Sequence, residues 1–430
     1  MATVLLQHTH CRVCAAPLEP ILSLGDLFLS DFPQVATDRA HPAVPLELVR
    51  CTGGTCGLVQ LAHSTPPAWL YGETYWYYSG VNDTMRAELL DVVRGAAART
   101  TLPKHAIVVD IGANDGTLLQ QYTAVVGDDH FLLKVAYEPA RSHYAALRPH
   151  VHVLYPEYFT VDDPWPLPTK ARIITAIAMF YDLEDPHAFV ASLTKALHPD
   201  GVVVIQQAYL FSMLATTDIS NIGHEHLEYY HLAPLEKLLA AHGLEVVDVE
   251  LRAINGGSFR VCVQFTGRGV VSPRVAERRA EEARLLAIQP LLWQTFIQRA
   301  EAIRTQLLAL LHAYRDHGTP VDLYAASTKA NTLIQWCGVD HRLIRQAWER
   351  TPQKVGRYVG VSGIPIVSEA EGRQDPPAAL LVGAWQFRDN FLSREAEYLA
   401  AGGRIIFPLP YVEVVEQQTV KDLKQIGGSR

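Results

Sequence analysis

Residues Ile107–Gln120 read IVVDIGANDGTLLQ, and the fold turns on how this stretch is understood. The β-branched run Ile107, Val108 and Val109 predicts a buried parallel strand ending at Asp110. Gly112 and Gly116 then bracket a tight turn that also holds Asn114 and Asp115, and Thr117–Tyr122 continues as a helix. Glycines in such a turn let backbone approach a ligand closely, and the helix start offers free N–H groups. The pattern is not the dinucleotide fingerprint GxGxxG, nor is it a phosphate loop, which needs GKS or GKT. An acid at the strand end suits a cationic or hydroxyl-bearing ligand. Glu138 closes the next apolar run, Val135–Tyr137, where α/β folds bind ribose hydroxyls.

Further along, apolar runs at 134–137, 151–154, 172–178 and 201–206 alternate with helical stretches, which predicts a doubly wound α/β sheet. The order then changes. A helix over 235–242 stops at Gly243, and strands over 244–251 and 258–265 flank a turn containing Asn255, Gly256 and Gly257, so these two should pair antiparallel. The acid-glycine turn and the second-strand acid resemble the S-adenosylmethionine (SAM) site of class I methyltransferases. A parallel sheet finished by an antiparallel hairpin fits that fold better than a dehydrogenase. The resemblance implies that Asp110, Gly112, Asn114, Asp115, Gly116 and Glu138, with Phe180 and Tyr181 beyond the fourth strand, bind SAM.

With 430 residues the chain has room for two or three domains, and 49% apolar and 19% charged residues describe an ordinary globular protein. A formal charge of −8 argues against non-specific nucleic-acid binding. Apolar runs are too short to span a bilayer, and the start, MATVLLQHTH, lacks a signal-peptide pattern, so a cytoplasmic protein with no membrane partner is expected. Two cysteine pairs, Cys11 with Cys14 and Cys51 with Cys56, predict a structural four-thiolate zinc site in a small module over residues 1–70. His8 and His10 are alternative ligands, whereas Cys262 and Cys337 read as buried thiols. Four thiolates leave a zinc ion no open position, which argues against catalysis there. The prolines of this module, such as Pro17, Pro33, Pro42 and Pro45, predict irregular loops.

Residues 71–85, YGETYWYYSGVNDTM, place Tyr75, Tyr77, Ser79 and Asn82 where phenols and hydroxyls can line a sugar or base pocket; an aromatic staple between domains is the alternative. Residues 271–318 read as a helical connector broken at Pro290, and 319–430 as a second α/β domain. In its first turn, YAASTKANTL, Ser327, Lys329 and Asn331 make either a phosphate site or a simple helix cap. Between the fifth strand and the next helix lies NIGHEHLEYYH, with His224, Glu225, His226 and Tyr229. Histidine suits proton abstraction beside a carbonyl because its pKa lies near working pH. Glu225 can orient an imidazole, and tyrosines can donate to an enolate oxygen. A metal site built on His224 and His226 is the competing functional reading.

Taken together, the ordered segments CxxC…CGLVQL, YYSG, DIGANDGTLL, MFYDLEDP, HEHLEYY, NGGSFRV, ASTKANTL and GIPIVS look like the SAM-dependent nucleotide-sugar C-methyltransferases, which build branched deoxysugars. That resemblance implies a zinc module (1–70), a Rossmann-like SAM-binding core (71–270), a helical connector (271–318) and a C-terminal Rossmann-like α/β domain (319–430) that helps hold a nucleotide sugar. It makes His226 the base, Glu225 its partner, and Tyr77 and His224 substrate-side groups. It also implies a small-molecule acceptor in antibiotic deoxysugar biosynthesis, SAM and structural Zn2+ as cofactors, and a monomer. The chain departs from the family at Gly223, Gln206, Leu323, Ala325 and Ala330, the last three standing where the family has glycines. These departures cluster at the acceptor side, so methylation of another natural product, or a non-catalytic SAM- or nucleotide-binding role, are the other two readings.

Overall fold

The computed structural model describes residues 5–38, 40–71, 75–127, 129–161 and 165–417. The chain forms two compact units: Met1–Ile21, Glu47–Ser212 and Glu225–Gln289 make the first, and Leu22–Leu46, Met213–His224 and Pro290–Arg430 the second.

The first unit is built on a seven-stranded sheet of β1 (Ile107–Ile111), β2 (Leu133–Tyr137), β3 (Val153–Tyr155), β4 (Ala171–Ile177), β5 (Leu197–Ala208), β6 (Leu244–Arg252) and β7 (Ser258–Phe265), in the order β6-β7-β5-β4-β1-β2-β3. Strands β1 to β5 run parallel, and β7 pairs antiparallel with both β5 and β6, so the sheet ends in the expected hairpin. In the centre Val109 lies opposite Val135 on one side and Ile174 on the other, each of the three wholly buried. Burial on both faces is why β1 is continuously apolar until Asp110. Each such side chain contributes roughly 1.5–3 kcal/mol. β5 begins earlier than expected, with a register shift between Leu197 and Val202. Gly201 sits in that irregularity, where a Cβ would come within 2.9 Å of the Ala171 carbonyl oxygen.

Asn82 caps the helix Asp83–Ala97 by accepting the Thr84 N–H, and the helix buries Met85, Leu89, Val92, Val93 and Ala96 along one stripe. From β7, the buried Arg260 bonds Glu88 and Asp91 of this helix at 2.7 and 2.8 Å, and Gln206 of β5 at 2.6 Å. Gln206 is thereby part of the wall between helix and sheet.

The cysteine module is more regular than its prolines suggest. Val44–Cys51 and Val59–Leu61 pair antiparallel, with Leu48 opposite Leu61, and Leu18–Leu27 forms the far edge of the sheet. Pro20 lies in that edge strand, where a missing N–H is tolerated.

In the second unit a seven-stranded sheet runs Tyr358–Val359, Ile364–Ser368, Ala347–Glu349, Val321–Tyr324, Ala379–Val382, Arg404–Phe407, Glu413–Val415, parallel inside and antiparallel at both edges. The connector consists of two helices, Pro273–Ala287 and Gln289–Asp316. Pro290 falls in the first turn of the second, where a helix has no use for its N–H. Among the described residues no helix is long and apolar enough to cross a membrane.

The three positions where the family has glycine prove unequal. Leu323 is a buried strand residue and Ala330 a buried helix residue, so neither needs glycine's freedom. Ala325 does: its φ is +71°, a left-handed conformation that costs an L-residue about 1 kcal/mol or more. Ala325→Gly should therefore leave stability unchanged or raise it by up to about 1 kcal/mol, whereas Ala330→Gly, inside a helix, should lower it by about 1 kcal/mol. Urea unfolding of the two variants checks the contrast, and equal effects would contradict it.

Candidate active site

The glycine turn after β1 has the expected shape. Gly112 and Gly116 hold φ of +67° and +82°, and a Cβ on Gly112 would stand 3.1 Å from Met179 Cγ. Glu138, 4% exposed at the end of β2, accepts the Asn114 N–H at Oε2 (2.7 Å) and the Ala140 N–H at Oε1 (2.8 Å). Asp110 accepts the Thr175 hydroxyl at 2.5 Å. Burial, together with the charges of Glu138 and Asp115, pushes the Asp110 carboxyl up to about 7 against the Thr175 bond, and burial raises Glu138 as well.

Asn114 and Asp115 do a different job from the one their place in the motif suggests. Asn114 Oδ1 accepts the Ser79 N–H (3.0 Å), and its Nδ2 donates to the Tyr77 carbonyl (2.9 Å). Asp115 accepts the Gly80 N–H at Oδ2 (2.7 Å) and the Thr117 hydroxyl at Oδ1 (2.6 Å). Both side chains thus tie the aromatic segment 77–80 onto the glycine turn. A Cβ on Gly80 would sit 2.7 Å from Thr117 Oγ1, so the close approach requires that glycine.

Tyr75, Tyr77, Tyr181, Glu225 and His226 come together in this unit. Tyr75 and Tyr181 both lie in the field of Glu225 and Asp182, and burial first, then those charges, pushes their phenols well up. The Tyr71 and Tyr75 rings are 5.5 Å apart, and the Tyr71 hydroxyl donates to the Glu225 carbonyl at 3.4 Å. The half-buried His226 ring meets the Tyr181 ring edge-on at 4.3 Å. The Tyr77 side chain is 41% exposed.

Asp182 was missed by the sequence reasoning. Burial and the neighbouring Glu225 hold its carboxyl far above the usual range, and its Oδ1 is buried without a hydrogen-bond partner among the described residues. The available signal was an acid within five residues of the end of β4, in MFYDLEDP.

Other expectations are corrected. Phe180 is fully enclosed by Phe189 and Tyr230, both at 5.5 Å, and is core rather than a SAM contact. Asn82 is a helix cap rather than a pocket residue. Tyr229 is buried in a short strand opposite Val59. His224 belongs to the second unit, is 5% exposed, and bonds the Val44 carbonyl through Nε2 at 3.1 Å. Burial brings its pKa down to about 4, so it is neutral at pH 7 and unsuited to shuttle a proton there, and its Nε2 is already spent on the Val44 carbonyl.

Also in the second unit, Ser327 caps the helix Thr328–Cys337 by accepting the Ala330 N–H at 3.0 Å. Lys329 pairs with Asp218 at 2.9 Å. Asn331 is wholly buried, donating to the Asp31 carbonyl (3.1 Å) and accepting from Gln335 (2.8 Å). The cap reading holds for Ser327, and Asn331, wholly enclosed, is out of reach of a phosphate.

The four cysteine sulfurs of the N-terminal module lie within 4.8 Å of one another, with Cys11–Cys56 at 3.8 Å and Cys14–Cys51 at 3.3 Å. A tetrahedral zinc with bonds of about 2.3 Å puts its sulfurs roughly 3.8 Å apart, so the set fits the ion. The Val13 and Gly53 N–H groups donate to Cys11 and Cys51 Sγ at 3.4 and 3.2 Å, as thiolates require. His8 instead bonds Ser64 at 2.7 Å and Glu184 at 3.2 Å.

Three family models match along the chain: a zinc-binding domain over residues 11–71, a methyltransferase domain over 81–249, and a C-methyltransferase C-terminal domain over 253–410. The chain is a SAM-dependent methyltransferase. It is 29% identical to the C-methyltransferase NovU of Streptomyces niveus, over 87% of this chain and 88% of that protein. Among solved structures, the N-methyltransferase NodS of Bradyrhizobium japonicum aligns at 12% identity over 43% of this chain and 97% of its own, with a TM-score of 0.32. Magnesium protoporphyrin IX methyltransferase of Synechocystis aligns at 14% identity over 43% and 88%, also with a TM-score of 0.32.

Folding favours the protonated form of Asp110 in this methyltransferase. Its contribution to stability is therefore complete below the unfolded value of about 4 and is lost as pH rises through about 7. The stability of the wild type relative to Asp110→Asn should fall over that window when no ligand is present. Thermal melts at several pH values test this, and a constant difference between the two proteins would contradict it.

Proposed function

We propose that the enzyme methylates a carbon beside the keto group of a nucleotide-linked deoxysugar, with His226 as its base. The observation that carries the reading is a half-buried imidazole set edge-on to Tyr181 at 4.3 Å, in the same unit as the glycine turn, with Glu225 and Asp182 close to that tyrosine. The relationship to NovU, a C-methyltransferase, supports carbon as the site of attack.

In this reading His226 takes the proton from the carbon next to the keto group, and Glu225 supports the imidazolium that results. Tyr75 and Tyr77 offer hydroxyls to the enolate oxygen, and Asp182, whose pKa burial and Glu225 raise, is a further donor in its protonated form. Bound SAM would supply an electrophilic methyl on a sulfonium, whose S–CH3 electron pair would remain on sulfur once the methyl is on the enolate carbon. Glu138 is assigned to the ribose hydroxyls and the Gly112–Gly116 backbone to the methionine end. The cramped, left-handed Gly112 and the acids Asp110 and Glu138 suit a cationic, hydroxyl-bearing ligand.

Cys11, Cys14, Cys51 and Cys56 would hold a structural zinc, which fits a reducing, cytoplasmic setting. The C-terminal unit is assigned to the nucleotide; there Lys329 would exchange Asp218 for a phosphate.

His226→Ala should keep its affinity for S-adenosylhomocysteine and lose roughly two to four orders of magnitude in turnover on a dTDP-keto-deoxysugar, the usual worth of a positioned base. Calorimetry and single-turnover methyl transfer check the pair. Near-normal turnover would remove His226 from the mechanism.

A further inference from the structure

The cysteine module is joined to the two segments that carry His226 and Tyr181. The first join is a strand pairing. Leu61 donates its N–H to the Leu227 carbonyl at 2.9 Å, Glu228 lies opposite Gln60, and Tyr229 lies opposite Val59. The residue directly after His226 is therefore bonded to the edge of the module's sheet. Gln60 and Glu228 are cross-strand neighbours at 0% and 1% exposure, and Gln60 Oε1 accepts the Arg12 N–H at 3.0 Å, inside the Cys11–Cys14 loop. Backbone bonds and one buried side chain thus run from the cysteines to the segment bearing His226.

A second join reaches the turn that carries Tyr181, whose ring meets the imidazole. The Arg12 side chain is 3% exposed; its Nη2 donates to Ser64 Oγ at 2.6 Å and meets Glu184 Oε2 at 3.4 Å, while His8 meets Glu184 Oε1 at 3.2 Å. Glu184 closes the turn that carries Tyr181 and Asp182. The loop is also fastened to the core, since His187 donates to the Val13 carbonyl at 2.8 Å. A two-stranded join as short as 228–229 has little stability of its own. Its geometry is only as firm as the loop beneath it.

We propose that the four-cysteine module is a clasp that positions the catalytic imidazole: with the thiolates gathered on a metal ion, the Cys11–Cys14 loop holds both the strand that follows His226 and the turn that presents Tyr181. Arg12, Gln60 and Glu184 are the positioning residues of this clasp, and none of them needs to touch the substrate. The catalytic consequence rests on the assignment of His226 as base, whereas the mechanical coupling does not.

The test is hydrogen exchange of the full-length protein with zinc and after chelation under reducing conditions, alongside titration with S-adenosylhomocysteine. Peptides over 225–230 and 179–184 should exchange at least tenfold faster without metal, while 107–111 stays protected and affinity for S-adenosylhomocysteine changes less than threefold. Unchanged exchange at 225–230 overturns the clasp. Should chelation unfold the whole chain, Glu184→Gln in the metal-loaded protein decides. It should retain full zinc, show faster exchange at 179–184, and lower kcat severalfold at an unchanged KM for SAM. Wild-type exchange and kcat in that variant overturn the proposal. Exchange requires no acceptor, so an enzyme that methylates no sugar nucleotide would sink the base assignment and still leave the clasp to be judged.

Discussion

Glu138 accepts the backbone N–H groups of Asn114 and Ala140 at 2.7 and 2.8 Å, and the shape of the cofactor end of the sheet depends on that pair of bonds. They fix the left-handed Asn114 and the glycines on either side of it. Asn114 and Asp115 then fasten the segment 77–80 over the turn, which brings the phenols of 71–78 toward the acids beyond β4. The concentration of carboxyls that follows is uncomfortable by itself. Asp110 feels Glu138 and Asp115, Asp182 feels Glu225, and burial raises all of those that titrate high. A cationic ligand relieves that field, and a sulfonium is such a ligand.

The fold was largely legible in the sequence because its signals are local. A β-branched run before a glycine turn, strands alternating with helices, and the Asn255–Gly257 turn before β7 each announce one element, and together they specify a parallel sheet with an antiparallel end. The cysteine set was legible for the same reason. The regular strands of the N-terminal module were hidden by its prolines, which edge and strand-start positions tolerate.

The site was legible by residue type and much less by role. His224 and His226 look alike in HEH, but one bonds a backbone carbonyl in the second unit and the other meets Tyr181 in the first. Asn114, Asp115 and Asn331 are polar residues in promising places, yet each meets backbone groups that only the folded chain brings near, whereas Asn82 is spent on a local helix cap. Phe180 sits one residue from Tyr181 and points its ring into the core. Asp182 went unnoticed because what distinguishes it is burial beside Glu225, forty-odd residues distant in sequence. Such differences come from long-range packing, which residue spacing does not encode.

The central claim is that this unit removes a proton from a carbon before any methyl moves. The most direct measurement incubates the enzyme with a dTDP-keto-deoxysugar in deuterated water, without SAM, and follows the proton beside the keto group by NMR. The account predicts enzyme-dependent exchange of that proton that disappears in His226→Ala. Methyl transfer to the same carbon by an enzyme that never exchanges the proton would contradict it.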